Sequence, residues 1–228
     1  MGRIAENLNA VQEKIAEAAR RSGRSPEQVS LVAVSKTHSP ELVAQAYEAG
    51  QKIFGENYAQ EFVEKAGNLP NDIEWHFIGS LQKNKVKMVI GRVAMIHSVD
   101  KASLAEEIAR RASAPVGSLI EVNLAGEETK SGLPANRVEE LIAEVRRLKN
   151  IELRGLMTMP PFGDDPEKAR PYFIRLRELR DDLKTRTGLA LDELSMGMSG
   201  DFEAAIEEGA TIVRVGTAIF GERRYREG

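Results

Sequence analysis

Eight short apolar runs, separated by stretches with helical spacing, constrain the fold of this 228-residue chain more than any other feature. The runs are typical of strands in a buried parallel sheet, because several of them are apolar on both faces. Strict alternation of strand and helix predicts parallel strands joined by right-handed crossovers. Eight such units predict a closed (β/α)8 barrel, for which about 250 residues is typical. The runs are residues 29–36, 52–56, 75–79, 95–100, 118–123, 151–159, 193–198 and 211–221.

The helical stretches agree with this architecture. Four apolar residues at helical spacing predict an extra N-terminal helix that ends near Gly23: Ile4, Leu8, Val11 and Ile15. Further helices are predicted within 136–149 and 166–187, and Pro171 is expected to kink or restart the second of these. An open doubly wound sheet is the alternative, but no G-x-G-x-x-G follows the first strand. We expect a single domain over residues 1–228.

Composition excludes several classes of function. A net charge of -3 gives no broad basic surface for nucleic acid. The chain has no cysteine, and its three histidines do not pair at ligand spacing on a helix, so a zinc site is not expected. No apolar run approaches the roughly 18 residues of a membrane span, and the N-terminus lacks the pattern of a signal peptide. We expect a soluble, cytoplasmic protein, and a monomer because no apolar patch is evident.

Lys36 ends the first apolar run, shortly before the Ser39-Pro40 pair. In a barrel of this class the active groups lie at the carboxyl ends of the strands, which is where this lysine falls. One interpretation is a buried stem with the ammonium reaching solvent at the rim. The other is a desolvated amine of lowered pKa, which can attack an aldehyde and form a Schiff base.

The last two runs carry a predicted anion site. In the segment SMGMSGD, residues 195–201, a glycine-bearing turn leads into a helix whose exposed N–H groups attract anions, although capping uses the same donors. Arg214 and Gly216 share one face of the last strand, and an arginine aimed into a barrel needs an acceptor. That acceptor is a ligand or, alternatively, an internal carboxylate such as Glu193. Loops after strands seven and eight form the phosphate site frequent in such barrels.

Three further features give weaker signals. Asn57 either caps the helix after the second strand or hydrogen-bonds a ligand. His76 is more typical of a satisfied core or rim histidine than of a ligand contact. The lysine-rich segment 83–87 is most simply a solvated helix face, with a phosphate-attracting or partner-binding patch as the alternative.

Six motifs in this order resemble the YggS/PROSC family of pyridoxal phosphate homeostasis proteins, over essentially the whole chain. They are AVSKT (33–37), FGENY (54–58), HFIGSLQKNK (76–85), GLMTM (155–159), LSMGMSGDFEAAI (194–206) and RVGTAIFG (214–221). The resemblance implies the fold-type III barrel of alanine racemase, standing alone. It implies pyridoxal 5'-phosphate as an internal aldimine on Lys36, and a phosphate held by Ser199 with the backbone of Gly216 and Thr217. Arg214 would then face the pyridine nitrogen. Further cofactor contacts are implied at Asn57, His76 and Met196.

This arrangement limits the chemistry that we expect. An arginine beside the pyridine nitrogen disfavours its protonation, so the ring is a poorer electron sink than one paired with a carboxylate. The chain ends at Gly228, just past the eighth strand, and racemisation needs an acid or base on each face of the substrate carbon. We therefore expect a non-catalytic protein that buffers the cofactor and passes it transiently to apo-enzymes. The alternatives are an amino-acid racemase and a sugar-phosphate barrel enzyme without pyridoxal phosphate.

Overall fold

A computed structural model describes residues 2–127, 131–161, 163 and 165–222, and it confirms the predicted barrel. The C-terminal segment 223–228 lies outside the described residues. In chain order the strands are β1 (Ser30–Val34), β2 (Ile53–Glu56), β3 (Glu74–Phe77), β4 (Val93–Val99), β5 (Val116–Asn123), β6 (Leu133–Pro134), β7 (Ile151–Met157), β8 (Glu193–Ser195) and β9 (Ile212–Val215).

Eight of these strands close on themselves as a parallel barrel. The order around it is β1, β2, β3, β4, β5, β7, β8 and β9, and β9 pairs with β1 to complete the ring. The two-residue strand β6 pairs only with the end of β5 and lies outside the ring. Because all the barrel strands are parallel, their carboxyl ends form one mouth.

Helices surround the barrel, and the predicted N-terminal helix is present. Pro171 lies in the first turn of its helix, where a proline is tolerated, so the helix restarts there rather than kinking. The helices are α1 (Arg3–Arg21), α2 (Pro40–Glu48), α3 (Ala59–Asn68), α4 (Val86–Val89), α5 (Ala102–Arg111), α6 (Val138–Val145), α7 (Arg170–Thr187), α8 (Phe202–Glu207) and α9 (Thr217–Phe220).

The last predicted strand, residues 211–221, is too long. Its first part is β9, but the chain turns at Gly216 and continues as helix α9. Ile219 and Phe220 are buried from that helix. An uninterrupted apolar run does not distinguish a strand from a short buried helix, because both satisfy the same hydrophobic pattern.

Side-chain alternation divides the core into two parts. The larger part fills the space between the strands and the helices. A small apolar layer plugs the barrel interior and consists of Val32, Met95, Leu119, Met157 and Ile212, with Ile53 packed against it. Two residues further along β4, β5 and β9, the inward positions are polar: His97, Glu121 and Arg214. The barrel therefore carries a polar layer on the mouth side of its apolar plug.

Gly155 tests how closely the barrel strands approach. A Cβ atom at this position would lie 1.9 Å from the carbonyl oxygen of Glu193 on the neighbouring strand. We predict that Gly155→Ala lowers the free energy of unfolding by about 1–3 kcal/mol or more, measured by urea denaturation. Gly67→Ala is the control, since its Cβ would meet nothing within 4 Å in helix α3, and it should stabilise the protein by about 0.5–1 kcal/mol. Equal stability of the two variants would contradict the packing described.

Candidate functional site

Lys36 lies at the barrel mouth, two residues past the end of β1. Strand β1 pairs with β2 on one side, where Val34 lies opposite Gly55, and with β9 on the other, where Ala33 lies opposite Val215, so the lysine leaves the barrel between the ends of these two strands. A Cβ atom on Gly216 would approach the carbonyl oxygen of Val34 to 3.2 Å, which shows how tightly these strand exits pack. Lys36 itself is half-buried.

A buried ion cluster lies behind this lysine, on the helix side of β2. Lys65 of α3 donates to Glu56 Oε1 at 2.7 Å and to Glu61 Oε2 at 3.1 Å. The side chains of Lys65 and Glu56 are 3% and 0% exposed. Burial raises the pKa of the Glu56 carboxyl above its ordinary value, while the Lys65 ammonium and the Ser35 hydroxyl act in the opposite direction.

The cluster holds the backbone on both sides of Lys36. Lys65 Nζ donates to the carbonyl oxygen of Ser35 at 2.7 Å, and the Ser35 hydroxyl donates to Glu56 at 2.6 Å. The Thr37 amide donates to Glu61 at 2.7 Å, with Thr37 in the left-handed region at φ 65°. The His38 amide also donates to the Ser35 carbonyl oxygen at 3.1 Å, so these contacts fix the turn that carries Lys36 at the mouth.

Sequence reasoning missed this cluster. Its signal was a lysine on the apolar stripe of α3, where Ala59, Phe62 and Ala66 are buried beside Lys65. A buried lysine needs a charged partner, and Glu56 in the preceding strand was available to provide one.

Ser199 connects the loops that follow β8 and β9. Its hydroxyl oxygen accepts from the Gly216 amide at 3.2 Å and from the Ala218 amide at 3.5 Å. Ser199 thus lies at the amino end of α9, where the Gly216 and Ala218 N–H groups both point to its hydroxyl oxygen. Thr217, the first residue of that helix, is exposed. The structure therefore brings Ser199 to Gly216 and to the start of α9, and the assignment of Ser199, Gly216 and Thr217 to a phosphate stays a prediction.

The turn before Ser199 depends on Gly197, which has φ 92°. A Cβ atom there would lie 2.6 Å from that of Ala205. The Asp201 carboxylate accepts from the Met198 amide at 2.6 Å, and it makes no side-chain cap of α8. Asp201 therefore closes the turn rather than the helix, which leaves the cradle at Ser199 separate from helix capping.

Arg214 points into the barrel, as its strand position predicts, and is 4% exposed. It donates to Ser195 Oγ at 2.5 Å and to the Thr158 carbonyl at 3.0 Å. The predicted alternative partner, Glu193, instead accepts from the Thr211 hydroxyl, so the internal ion pair with Glu193 is wrong. Burial lowers the pKa of Arg214 to about 10, opposed by Glu121 and Asp201, so the guanidinium stays charged at neutral pH.

Glu121 is an inward carboxyl that sequence reasoning did not single out. It is 3% exposed, and burial raises its pKa to about 7, with Asp100 adding to the rise and Arg214 opposing it. The sequence feature that could have revealed it is a charged residue within the apolar strand 116–123, on the same face as Leu119. The carboxyl adds a group that titrates near neutral pH to the polar layer beneath the mouth.

Asn57, His76 and Met196 are the remaining candidates for cofactor contact, and each lies in a different environment. The Asn57 Oδ1 atom is buried without a hydrogen-bond partner among the described residues, and α3 has Tyr58 as its N-cap, so Asn57 does not cap that helix. His76 is buried in the barrel and bonds to His97, so it reaches Arg214 only through other residues. Met196 is fully buried in the helix-side core, because it alternates with the inward Ser195. Only its backbone could contribute to the mouth.

The lysine-rich segment 83–87 forms a short 3-10 turn and the start of α4. Val86 is buried there, while Lys83 and Lys87 are exposed. Across the described ranges, no helix is long and apolar enough to cross a membrane, and no group of three or more histidine or carboxylate side chains could hold a metal ion.

Comparison with known proteins yields close relatives over nearly the whole chain. Residues 7–224 match the family described as the N-terminal domain of alanine racemase. The pyridoxal phosphate homeostasis protein of Aquifex aeolicus is 50% identical over 224 residues, which is 96% of this chain and 98% of that protein. The protein of the same name from Escherichia coli is 42% identical and covers 99% of each chain.

Solved structures agree with these relatives. PipY of Synechococcus elongatus, determined with PLP bound, superposes with a TM-score of 0.83 at 35% identity and covers 96% of this chain and 100% of its own. The alanine racemase of Corynebacterium glutamicum gives a TM-score of 0.72 at 17% identity and covers 97% of this chain and 63% of its own. At that identity the racemase shows the fold alone.

The cluster behind Lys36 makes a stability prediction. Lys65→Met should lower the free energy of unfolding by about 3–5 kcal/mol, because it leaves the Glu56 carboxylate buried without its cation. Adding Glu56→Gln should recover much of this loss, and Lys52→Met, which breaks the exposed pair with Asp72, should cost far less. Urea denaturation of the four proteins measures these differences. If Lys65→Met were as stable as the double variant Lys65→Met/Glu56→Gln, the charge-paired cluster would be contradicted.

Proposed function

The chain belongs to the family of pyridoxal phosphate homeostasis proteins, within the wider family of the alanine racemase N-terminal domain, and on this premise we propose that it binds pyridoxal 5'-phosphate reversibly at its barrel mouth. The observation that carries the proposal is that Lys36 follows β1 at the mouth, while the neighbouring strand β9 leads into Gly216, whose amide donates to the Ser199 hydroxyl. The PLP-bound structure of PipY, which this chain matches over the whole length of PipY, supports the same ligand.

The residues at the mouth suit the ligand's groups. The Ser199 hydroxyl and the first-turn amides of α9 would hold the phosphate, because convergent N–H groups at a helix start favour an anion. The buried Asn57 Oδ1 atom has no partner within the described part of the chain, and a polar ligand would satisfy it. Arg214 offers a fixed positive charge beneath the mouth, where it would face the ring nitrogen.

Lys36 is the residue that we assign to the aldehyde. Pyridoxal 5'-phosphate would bring an aldehyde to the mouth, and the Lys36 amine is the nucleophile that would condense with it reversibly, releasing water. The hydrogen bonds from Lys65 to the Ser35 carbonyl and from the Thr37 amide to Glu61 hold the backbone on both sides of the lysine. The amine is thus presented at a fixed place at the barrel mouth.

We propose storage and transfer of the cofactor rather than turnover. The buried Arg214 opposes a second positive charge on the ring nitrogen, and a neutral ring stabilises a substrate carbanion poorly. The relatives carry the name of homeostasis proteins, and PipY was determined both with and without PLP. In this proposal a monomeric, single-domain protein works in the cytoplasm and passes the cofactor to apo-enzymes in transient contacts.

Reductive trapping tests the assignment of Lys36. We predict that borohydride treatment of the protein with pyridoxal 5'-phosphate fixes one adduct, located at Lys36 by mass spectrometry. Lys36→Ala should abolish the adduct, Lys83→Ala should retain it, and Ser199→Ala should form it while releasing cofactor faster on dialysis than the matched control Ser113→Ala. A trapped adduct at another lysine would refute the site. No adduct at all would instead favour the sugar-phosphate enzyme.

Proton exchange separates storage from racemisation. With the cofactor-loaded protein in deuterated water, we predict that the α-protons of added L-amino acids exchange far below the rate of ordinary enzymes, roughly 10 per second. Proton NMR measures the exchange, and chiral chromatography measures the D-isomer. Exchange with loss of chirality at enzyme rates would establish the racemase in place of the storage role.

A further inference from the structure

We propose that His76, His97 and Ser195 form a hydrogen-bond chain of fixed polarity that positions Arg214, with the polarity set by Glu74 at the far end of the barrel. The hydrogen-bond chain consists of the protein's own groups. The proposal rests on the proposed function only where it concerns the bound cofactor. His76, His97 and Ser195 are therefore positioning residues and make no contact with the ligand in this account.

The chain crosses the barrel interior in four steps. His76 Nε2 lies 3.1 Å from Glu74 Oε1, and His76 Nδ1 lies 2.9 Å from His97 Nε2. His97 Nδ1 lies 2.9 Å from Ser195 Oγ, which accepts from Arg214 at 2.5 Å. His76, His97 and Ser195 are at most 2% exposed, whereas the Glu74 side chain is 49% exposed at the start of β3. The chain thus joins a partly solvated carboxylate to the buried guanidinium.

The two ends of the chain fix the direction of every bond between them. A guanidinium can only donate, so Ser195 Oγ is an acceptor toward Arg214. An ionised carboxylate can only accept, so His76 Nε2 must carry a hydrogen toward Glu74. A neutral imidazole has one donor and one acceptor, so His76 Nδ1 accepts from His97 Nε2–H. His97 Nδ1 then accepts from the Ser195 hydroxyl.

The opposite polarity requires one more proton. If His97 Nδ1–H donated to Ser195, His97 Nε2 would have to accept from His76 Nδ1–H. His76 would then be doubly protonated, because its Nε2 lone pair cannot face the Glu74 carboxylate. The Ser195 hydroxyl would also lose its acceptor in the chain, in a buried place where an unmade hydrogen bond is costly. The reversed chain therefore places an additional charge on His76, which is 2% exposed.

This polarity explains how Arg214 is held while it keeps its charge. Its acceptors, Ser195 Oγ and the Thr158 carbonyl, are both neutral, and they fix two corners of a planar group. The carboxyls that act on it electrostatically, Glu121 and Asp201, have no hydrogen bond to it among those of the described residues. The guanidinium is therefore oriented by the chain and is not neutralised by a contact ion pair.

Glu74→Gln tests the polarity, because an amide can donate as well as accept. When the new amide at position 74 donates to His76 Nε2, it permits the reversed chain with both histidines neutral. The protein has three histidines, so nitrogen-15 NMR of histidine-labelled, full-length protein resolves each ring. We expect neutral Nε2–H tautomers of His76 and His97 in the wild type and in the control Glu152→Gln. Glu74→Gln should add an Nδ1–H population at His97, and Glu74→Asp should restore the wild-type tautomers.

A wild-type His97 in the Nδ1–H form, or a Glu74→Gln spectrum identical to the control, would overturn the fixed polarity. The second readout is the pH titration of the absorbance of protein loaded with pyridoxal 5'-phosphate. Glu74→Gln should shift its midpoint by about half a unit or more, and Glu152→Gln should not. An unchanged midpoint with trapping at Lys36 intact would overturn the positioning role and leave the proposed function standing. Failure of trapping would refute the proposed function, and the NMR result would still show whether the hydrogen-bond chain has the proposed polarity.

Discussion

Closure of eight parallel strands forces every second side chain of each strand into one narrow interior, and the rest of the structure follows from how that interior is filled. An apolar plug that includes Val32, Leu119 and Ile212 occupies one level. The next level toward the mouth carries His97, Glu121 and Arg214, which lie two residues further along their strands. A barrel filled only with apolar residues would be a packed core without chemistry. Here the polar level places a permanent cation directly beneath the ring of strand ends.

Two buried networks hold the site from outside it. The ion cluster of Lys65, Glu56 and Glu61 lies on the helix side of β2 and fixes the backbone around Lys36. The chain through His97 lies on the inner side and fixes Arg214. Burying such groups costs free energy unless their partners are complete, and the contacts described satisfy most of them. Both networks position the site without occupying the mouth.

The sequence allowed the barrel, the order of its strands and the position of Lys36 to be predicted, since these depend on local periodicity and on the rule that parallel strands end together. It also allowed the inward direction of Arg214 to be predicted from alternation. The same rule, applied to Met196, would have placed it opposite the inward Ser195 and away from the mouth. The partners of Arg214 could not be found this way, because His97 and Ser195 are 98 residues apart and meet only when the barrel closes.

A crystal structure of the full chain with pyridoxal 5'-phosphate tests the central claim most directly, namely that one amine and one anion cradle at the mouth hold the cofactor over a buried cation. The account predicts continuous electron density from Lys36 Nζ to the ligand, with the phosphate on Ser199 and the backbone of Gly216 and the ring nitrogen toward Arg214. Density attached to another lysine, or a phosphate away from Ser199, would contradict it.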